Sequence, residues 1–190
     1  MTTRKNSKFE IRGINHLALT CRDMKRTVDF YTGVLGMPLT KTINLPRGLG
    51  QHFFFDIGNG DSLAFFWFPD APKSQPGVTH PAHLIGRGPL TTAHASMNHV
   101  AFDVPAEKID EYQKKLKAAG VDVTQVVNHD DSEDGASREI TPSTFVRSIY
   151  FQDPDGIMLE FASWTRVLDE RDVNIAPVTE EPESLATAGR

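Results

Sequence analysis

The chain has 190 residues, of which 39% are hydrophobic and 24% charged, and its formal net charge is −5. This balance is ordinary for a folded globular protein, and the lack of a basic excess argues against nucleic acid as a partner. The lone cysteine, Cys21, excludes an internal disulfide, and no apolar run reaches membrane-spanning length. With no secretory signal at its start, the protein is expected to be cytoplasmic and not to bind a membrane.

The first predicted element is a strand with the sequence INHLAL at 14–19, in which alternate residues face opposite sides. Asp23 can cap the helix that follows, which carries an apolar stripe and ends at Gly36. Three further strands are expected over residues 38–45, 50–57 and 62–68. The first half therefore has the predicted order β-α-β-β-β.

The same order is predicted again in the second half. The sequence MNHVAF at 97–102 repeats the first strand, and Pro105 begins a helix that ends at Gly120. Strands are expected at 121–128, 144–152 and 156–163, with a tight turn before the last one. Aligning the two halves by their turns places Ala64 opposite Glu160 and Phe54 opposite Tyr150.

These elements predict an α+β fold built from two β-α-β-β-β modules. The predicted units are an N-terminal tail at 1–9, a first module at 10–68, a connecting crossover at 69–96, a second module at 97–165 and a C-terminal tail at 166–190. A connector as long as 69–96 is uncommon in a compact domain, so it is expected to cover a cavity or to meet a partner subunit. Exposed sheet edges also make a homodimer an expectation.

Three residues are candidate metal ligands. His16 and His99 occupy the same position in the two repeated strands, and Glu160 lies in an otherwise apolar strand. A buried carboxylate needs a cation or a hydrogen-bond network, and one metal ion would satisfy all three side chains. Two imidazoles and one carboxylate form the ligand set of non-haem Fe(II) oxygenases, although Mn(II) or Zn(II) can occupy the same ligands.

The paired modules, the two Asn-His sequences at 15–16 and 98–99 and the stretch from Tyr150 to Glu160 resemble the vicinal oxygen chelate superfamily. That superfamily includes glyoxalase, bleomycin resistance proteins and type I extradiol dioxygenases, and the resemblance covers about residues 10–165. It implies that the two β-α-β-β-β modules pair into a cupped mixed sheet around a metal site. The four-ligand isomerases of the superfamily use a further ligand from the first half, where this chain has Ala64. Extradiol dioxygenases use histidine, histidine and glutamate in this order, with a tyrosine ten residues before the glutamate, as Tyr150 stands here.

The resemblance implies an Fe(II)-dependent extradiol-type dioxygenase that cleaves the ring of a catechol-like compound with dioxygen. Tyr150 is the expected hydrogen-bonding residue. The histidines that extradiol enzymes carry near 140–143 and 61–62 are missing, so His52 and His129 are the candidate acid–base groups. The predicted pocket walls are apolar and suit a small aromatic substrate; they are Phe54, Phe66, Val146, Tyr150 and Met158.

Two alternatives remain open at this point. The same three ligands occur in metal-dependent thiol or glutathione transferases and lyases of the glyoxalase and fosfomycin-resistance type. Against a fosfomycin-type enzyme, Ala18 stands where those proteins carry a threonine. A drug-sequestering binding protein without catalysis would use the same fold.

Overall fold

The computed structural model describes residues 8–177 and contains two β-sheets. Residues 1–7 of the predicted N-terminal tail and 178–190 of the predicted C-terminal tail lie outside the described residues. The first half comprises β1 (His16–Thr20), α1 (Met24–Val28), a π-helical segment (Asp29–Val34), β2 (Leu39–Asn44), a 3-10 turn (Pro46–Gly48), β3 (Gln51–Gly58) and β4 (Asp61–Trp67).

The second half repeats this order with one extra strand. It comprises β5 (Val100–Asp103), a 3-10 turn (Ala106–Lys108), α2 (Ile109–Ala118), β6 (Val127–His129), β7 (Ala136–Ser137), β8 (Val146–Gln152) and β9 (Met158–Trp164), followed by a 3-10 turn (Glu170–Asp172). None of the helices in residues 8–177 is both long and apolar enough to cross a membrane.

The predicted N-cap of the first helix is present, whereas the helix predicted from Pro105 starts as a 3-10 turn at Ala106 and becomes α-helical only at Ile109. The Asp23 side chain accepts a hydrogen bond from the Arg26 backbone N–H at 3.0 Å, which satisfies one of the free donors at the start of α1. Beyond α1 the chain widens into a π-helical turn, in which the Leu35 N–H bonds the Phe30 carbonyl at 3.1 Å. This wider turn directs two successive side chains, Phe30 and Tyr31, into the core.

The strand registers confirm the internal repeat. The strand order is β1-β4-β3-β2 in one sheet and β5-β9-β8-β6-β7 in the other, with β1 parallel to β4 and β5 parallel to β9. Ala64 pairs with Phe54 in the first sheet, and Glu160 pairs with Tyr150 at the corresponding place in the second. The strand pairing therefore confirms that Ala64 and Glu160 occupy equivalent positions in the two halves.

The strand predicted at 121–128 is wrong in extent, because β6 comprises only Val127–His129. The Tyr150 N–H, which a continuous ladder would pair with a backbone carbonyl, donates instead to the Thr124 hydroxyl at 3.0 Å. The Thr124 carbonyl in turn accepts a hydrogen bond from the Gln113 amide of α2. Both side-chain hydrogen bonds compete with regular pairing and interrupt the strand.

One hydrophobic core joins the helix-covered faces of the two sheets. Its buried members come from both halves: Cys21, Met24, Phe30, Tyr31, Phe55, Leu63, Phe65, Ile109, Leu116, Val123, Ile149, Phe151 and Leu159. Because side chains alternate along a strand, the residues between these positions project from the opposite face of each sheet. We call these two opposite faces the open faces, and both are directed away from the shared core.

Polar contacts reinforce the junction of the two halves. The Tyr31 hydroxyl donates to the Asp153 carboxyl at 3.2 Å, and the Arg22 backbone N–H donates to Asp155 at 2.8 Å. Asp153 also accepts the backbone N–H groups of Asp155 and Ile157, which closes the predicted turn between β8 and β9. The turn therefore serves both the hairpin and the contact between the halves.

Candidate functional site

Two of the predicted ligands lie together on the open face of the second sheet. His99 Nε2 lies 3.1 Å from Glu160 Oε2, and the Glu160 residue is only 5% exposed. Burial opposes ionisation of the Glu160 carboxyl, but contacts with His99, Ser148 and Tyr150 outweigh it, so its pKa lies below the ordinary value. Glu160 is therefore a buried carboxylate at neutral pH, which is the state that a metal ligand requires.

The asparagine of each Asn-His sequence orients the histidine that follows it. His99 Nδ1 lies 2.8 Å from Asn98 Oδ1, and His16 Nδ1 lies 2.8 Å from Asn15 Oδ1. Since an amide oxygen only accepts, Nδ1 is the donor in both pairs, and Nε2 is the ring nitrogen that faces away from the asparagine, toward Glu160 in the case of His99. Such a hydrogen bond fixes the tautomer and direction of a histidine ligand. The repeated asparagine thus orients the histidine, a role that was not evident from aligning the two halves.

Tyr150 and His129 form a second pair beside Glu160. The Tyr150 hydroxyl lies 2.9 Å from His129 Nε2, and Tyr150 faces Glu160 directly across the β8–β9 ladder. Burial, followed by the negative charge of Glu160, raises the pKa of the Tyr150 phenol well above its ordinary value. The phenol is therefore protonated at neutral pH and can donate a hydrogen bond.

Ser148 is a member of this site that the sequence reasoning missed. Its hydroxyl is buried beside Glu160 and Tyr150 and helps to lower the pKa of the Glu160 carboxyl. It nevertheless completes no hydrogen bond of ordinary geometry. An orphaned buried hydroxyl is costly, and it lies where a reoriented carboxylate ligand could accept from it. The register of β8, in which Ser148 shares a face with Tyr150, was the signal that could have revealed it.

His16 and His52 lie on the open face of the first sheet. The His16 ring contacts Phe54 edge-on at 5.6 Å, and the His52 ring stacks on Phe66 at 3.6 Å. His52 Nδ1 donates to the Phe65 carbonyl at 3.1 Å, so this candidate acid–base residue is held within its own sheet. Phe66 stacks in turn on Phe68, which gives the first open face a continuous row of aromatic rings.

The structure therefore divides the predicted ligand set between two sheets. His99 and Glu160 are in contact, whereas His16 belongs to the other open face. Within residues 8–177, no three histidine, cysteine, aspartate or glutamate side chains gather closely enough to hold a metal ion. The pair that is present has suitable chemistry, namely an oriented imidazole nitrogen and a buried, ionised carboxylate. The residues thus fit two positions of a metal site and leave the third to be supplied from elsewhere.

Comparisons with known proteins agree with this architecture. The family model of the Glyoxalase/Bleomycin resistance protein/Dioxygenase superfamily matches residues 13–161. A metallothiol transferase, FosB of Shouchella clausii strain KSM-K16, is 28% identical over 156 residues, which cover 82% of each chain. A putative ring-cleaving dioxygenase, MhqE of Bacillus subtilis strain 168, is 27% identical over 121 residues, which are 62% of this chain and 35% of MhqE.

A solved glyoxalase family protein from Enterococcus faecalis shares the fold. The two structures superpose with a TM-score of 0.58 at 21% identity, over 81% of this chain and 99% of the other. Together with the repeated modules and their registers, the match over residues 13–161 fixes the family. The chain belongs to the Glyoxalase/Bleomycin resistance protein/Dioxygenase superfamily.

Proposed function

We propose that this protein is a metal-dependent dioxygenase of the extradiol type, which cleaves the ring of a catechol-like compound. The observation that carries the proposal is the pairing of two functional units on one open face. The His99–Glu160 pair offers metal ligands, and the Tyr150–His129 pair beside it offers a proton donor and acceptor. Ring cleavage of a catechol requires both, since a hydroxyl proton must leave while the substrate is held at the metal.

We further propose that the metal site is completed by a second copy of the chain. His99 and Glu160 of one copy would bind the ion, preferably Fe(II), together with His16 of the other. Both open faces are directed away from the core that joins the two halves, so they do not cover each other. Ala18 and Ala101 are exposed on these faces, as expected for surfaces that a partner would cover.

A metal ion held there would act as a Lewis acid and bring the pKa of a catechol hydroxyl toward neutrality. The oriented Nε2 of His99 and the carboxylate of Glu160 fix the side of the pocket on which the diol lies. Tyr150, protonated at neutral pH, donates a hydrogen bond to substrate oxygen. His129 exchanges a proton with the Tyr150 hydroxyl at 2.9 Å, so the pair can carry a proton away from the diol and return one to the product.

The character of the open faces favours a neutral aromatic substrate over an anionic one. No lysine or arginine occurs in β1 or β9, which carry His16 and Glu160, in β5, which His99 directly precedes, or in β4. Arg147 of β8 lies on the register opposite to Tyr150 and reaches Asp110 at 3.7 Å. A phosphonate or a charged thiol would find few cations here, whereas the rings of Phe54, Phe66 and Phe68 suit an aromatic ring.

The test is anaerobic loading with Fe(II), followed by measurement of oxygen uptake with 2,3-dihydroxybiphenyl. The proposal predicts that one O2 is consumed per substrate molecule. The yellow ring-opened product should contain both atoms of that O2. A matched control is the Tyr112→Phe variant, since Tyr112 packs on the core side, away from the site. Protein that retains iron but consumes no oxygen with any catechol tested would contradict the proposal.

A metallothiol transferase is the second candidate, and the similarity to FosB over 82% of both chains favours it. In that case Mn(II)-loaded protein should conjugate a low-molecular-weight thiol to an epoxide such as fosfomycin. The ligand residues would be the same, but the aromatic row of the first sheet would have no evident use. Thiol consumption without oxygen consumption would decide for this candidate.

A further inference from the structure

We propose that the connector at 69–96 supplies one wall of the substrate pocket, and that its residue Leu84 sets the size of the ring substituent that fits beside Tyr150. The inference rests on the proposed function, because it assigns a substrate-selecting role within that site. It concerns the segment for which the sequence left two roles open, covering a cavity or meeting a partner subunit.

Leu84 lies on the open face of the second sheet. It is 5% exposed and forms a small hydrophobic cluster with Tyr150 and Met158, which is separate from the main core. The neighbouring Ile85 and Val127 pack against the same cluster. Met158 precedes Glu160 by two residues on β9, so both side chains project from the same face. The connector therefore covers the Tyr150–Met158 end of this face, and His99 remains half-exposed beside it.

The connector is held in place at several points. Arg87 donates two hydrogen bonds to the Asp122 carboxylate, the longer at 2.9 Å, and Asn98 Nδ2 donates to the Leu90 carbonyl at 2.9 Å. The buried His80 ring lies so close to Gly156 that an added Cβ there would be 2.7 Å from His80 Cε1. These contacts lie on both sides of Leu84, so the wall is a fixed part of the second half and not a mobile lid.

A fixed apolar wall discriminates by size and by charge. Leu84, Tyr150 and Met158 bury one another almost completely, so a substituent on the ring side that meets Leu84 must fit in front of a closely packed surface that yields little. An apolar substituent gains contact there, whereas a charged one loses its hydration without a partner. We therefore expect the natural substrate to be a catechol whose substituent near Tyr150 is small and uncharged.

The test compares the binding of catechol and 4-tert-butylcatechol to Fe(II)-loaded protein without oxygen, by calorimetry. Replacing Leu84 by alanine should raise the affinity ratio in favour of the tert-butyl compound by about tenfold, the lower end of what one methylene is worth in an apolar pocket. Replacing it by phenylalanine should shift the ratio about tenfold in the opposite direction. Leu90→Ala is the matched control, since Leu90 lies in the same connector but outside the Tyr150 cluster.

An unchanged ratio in folded, metal-loaded L84A and L84F would overturn the assignment of Leu84. If L84A does not fold, the opposite shift expected for L84F still decides the matter. Binding is measured without turnover, so its outcome is separate from that of the oxygen-uptake test. If the affinity ratio shifts as expected but no oxygen is consumed, the dioxygenase activity is refuted and the role of Leu84 in the pocket is retained. Wild-type protein that binds neither catechol would refute both.

Discussion

Asp153 is a buried acid whose ionisation should cost stability at neutral pH. It is 6% exposed at the junction of the two halves. Burial, which outweighs the hydrogen bonds from the Ile157 and Asp155 N–H groups and Tyr31, raises its pKa from 3.8 to about 6. The native state therefore holds more protons than the unfolded state between these values. The free energy of unfolding should fall as pH rises from about 4 to about 6.

The magnitude follows from the two pKa values. A difference of about 2 corresponds to roughly 3 kcal/mol, the stability that the charged carboxyl costs above pH 6 relative to its neutral form. Asp153→Asn should remove this cost, because an amide oxygen can still accept the two backbone N–H groups and the amide NH2 can face the Tyr31 hydroxyl. The variant should be more stable than wild type by about 1–3 kcal/mol at pH 7.5 and no more stable near pH 4.

Urea unfolding at a series of pH values measures this difference. Glu160 acts in the opposite sense, since its lowered pKa contributes stability that is lost as pH falls. Only the difference between variant and wild type therefore isolates Asp153. The exposed Asp134→Asn variant is the control and should follow the wild-type curve. If the free energies of unfolding of Asp153→Asn and wild type ran parallel with pH, or if the variant were less stable at pH 7.5, the charged Asp153 would not be destabilising.

Two further predictions concern the site and the backbone. The Tyr150→Phe variant should retain its metal, as measured by elemental analysis, but its kcat should fall by at least about 100-fold, because the hydroxyl that bonds His129 is lost. An unchanged kcat would exclude Tyr150 from the chemistry. Gly50→Ala should lower the midpoint of urea unfolding by the equivalent of about 2 kcal/mol or more, since Gly50 has φ +140° and an added Cβ would overlap the Trp67 carbonyl; Gly33→Ala, where a Cβ meets nothing, is its control.

The repeat was the part of the fold that the sequence predicted best. His16 and His99 mark equivalent strands, and the pairing of Ala64 with Phe54 and of Glu160 with Tyr150 agrees with the alignment of the halves. The alternation of side chains along a strand depends only on neighbouring residues, so the sequence predicts it well. The strand predicted at 121–128 failed because the Gln113 side chain of α2 bonds the Thr124 carbonyl and the Thr124 hydroxyl accepts the Tyr150 N–H of β8, and the periodicity of 121–128 does not encode partners so distant in sequence.

The sequence brought together most of the candidate residues but not their arrangement. The repeat and the residue types selected His99 and Glu160, the family resemblance selected Tyr150, and the structure places these three beside His129. The sequence could not show that His16 would lie on a separate open face, because that depends on how the two halves share one core. His52 shares the face of His16, and its role stays a prediction.

The metal content of a heterodimer of two defective copies tests directly whether two chains share one metal site. His16→Ala and Glu160→Ala should each lose metal binding when pure. A dimer that contains one of each, isolated with two different affinity tags, should regain about one metal ion per two chains, because His16 of one copy meets His99 and Glu160 of the other. A heterodimer that binds no metal would contradict the shared site, and full binding by pure His16→Ala would remove His16 from it.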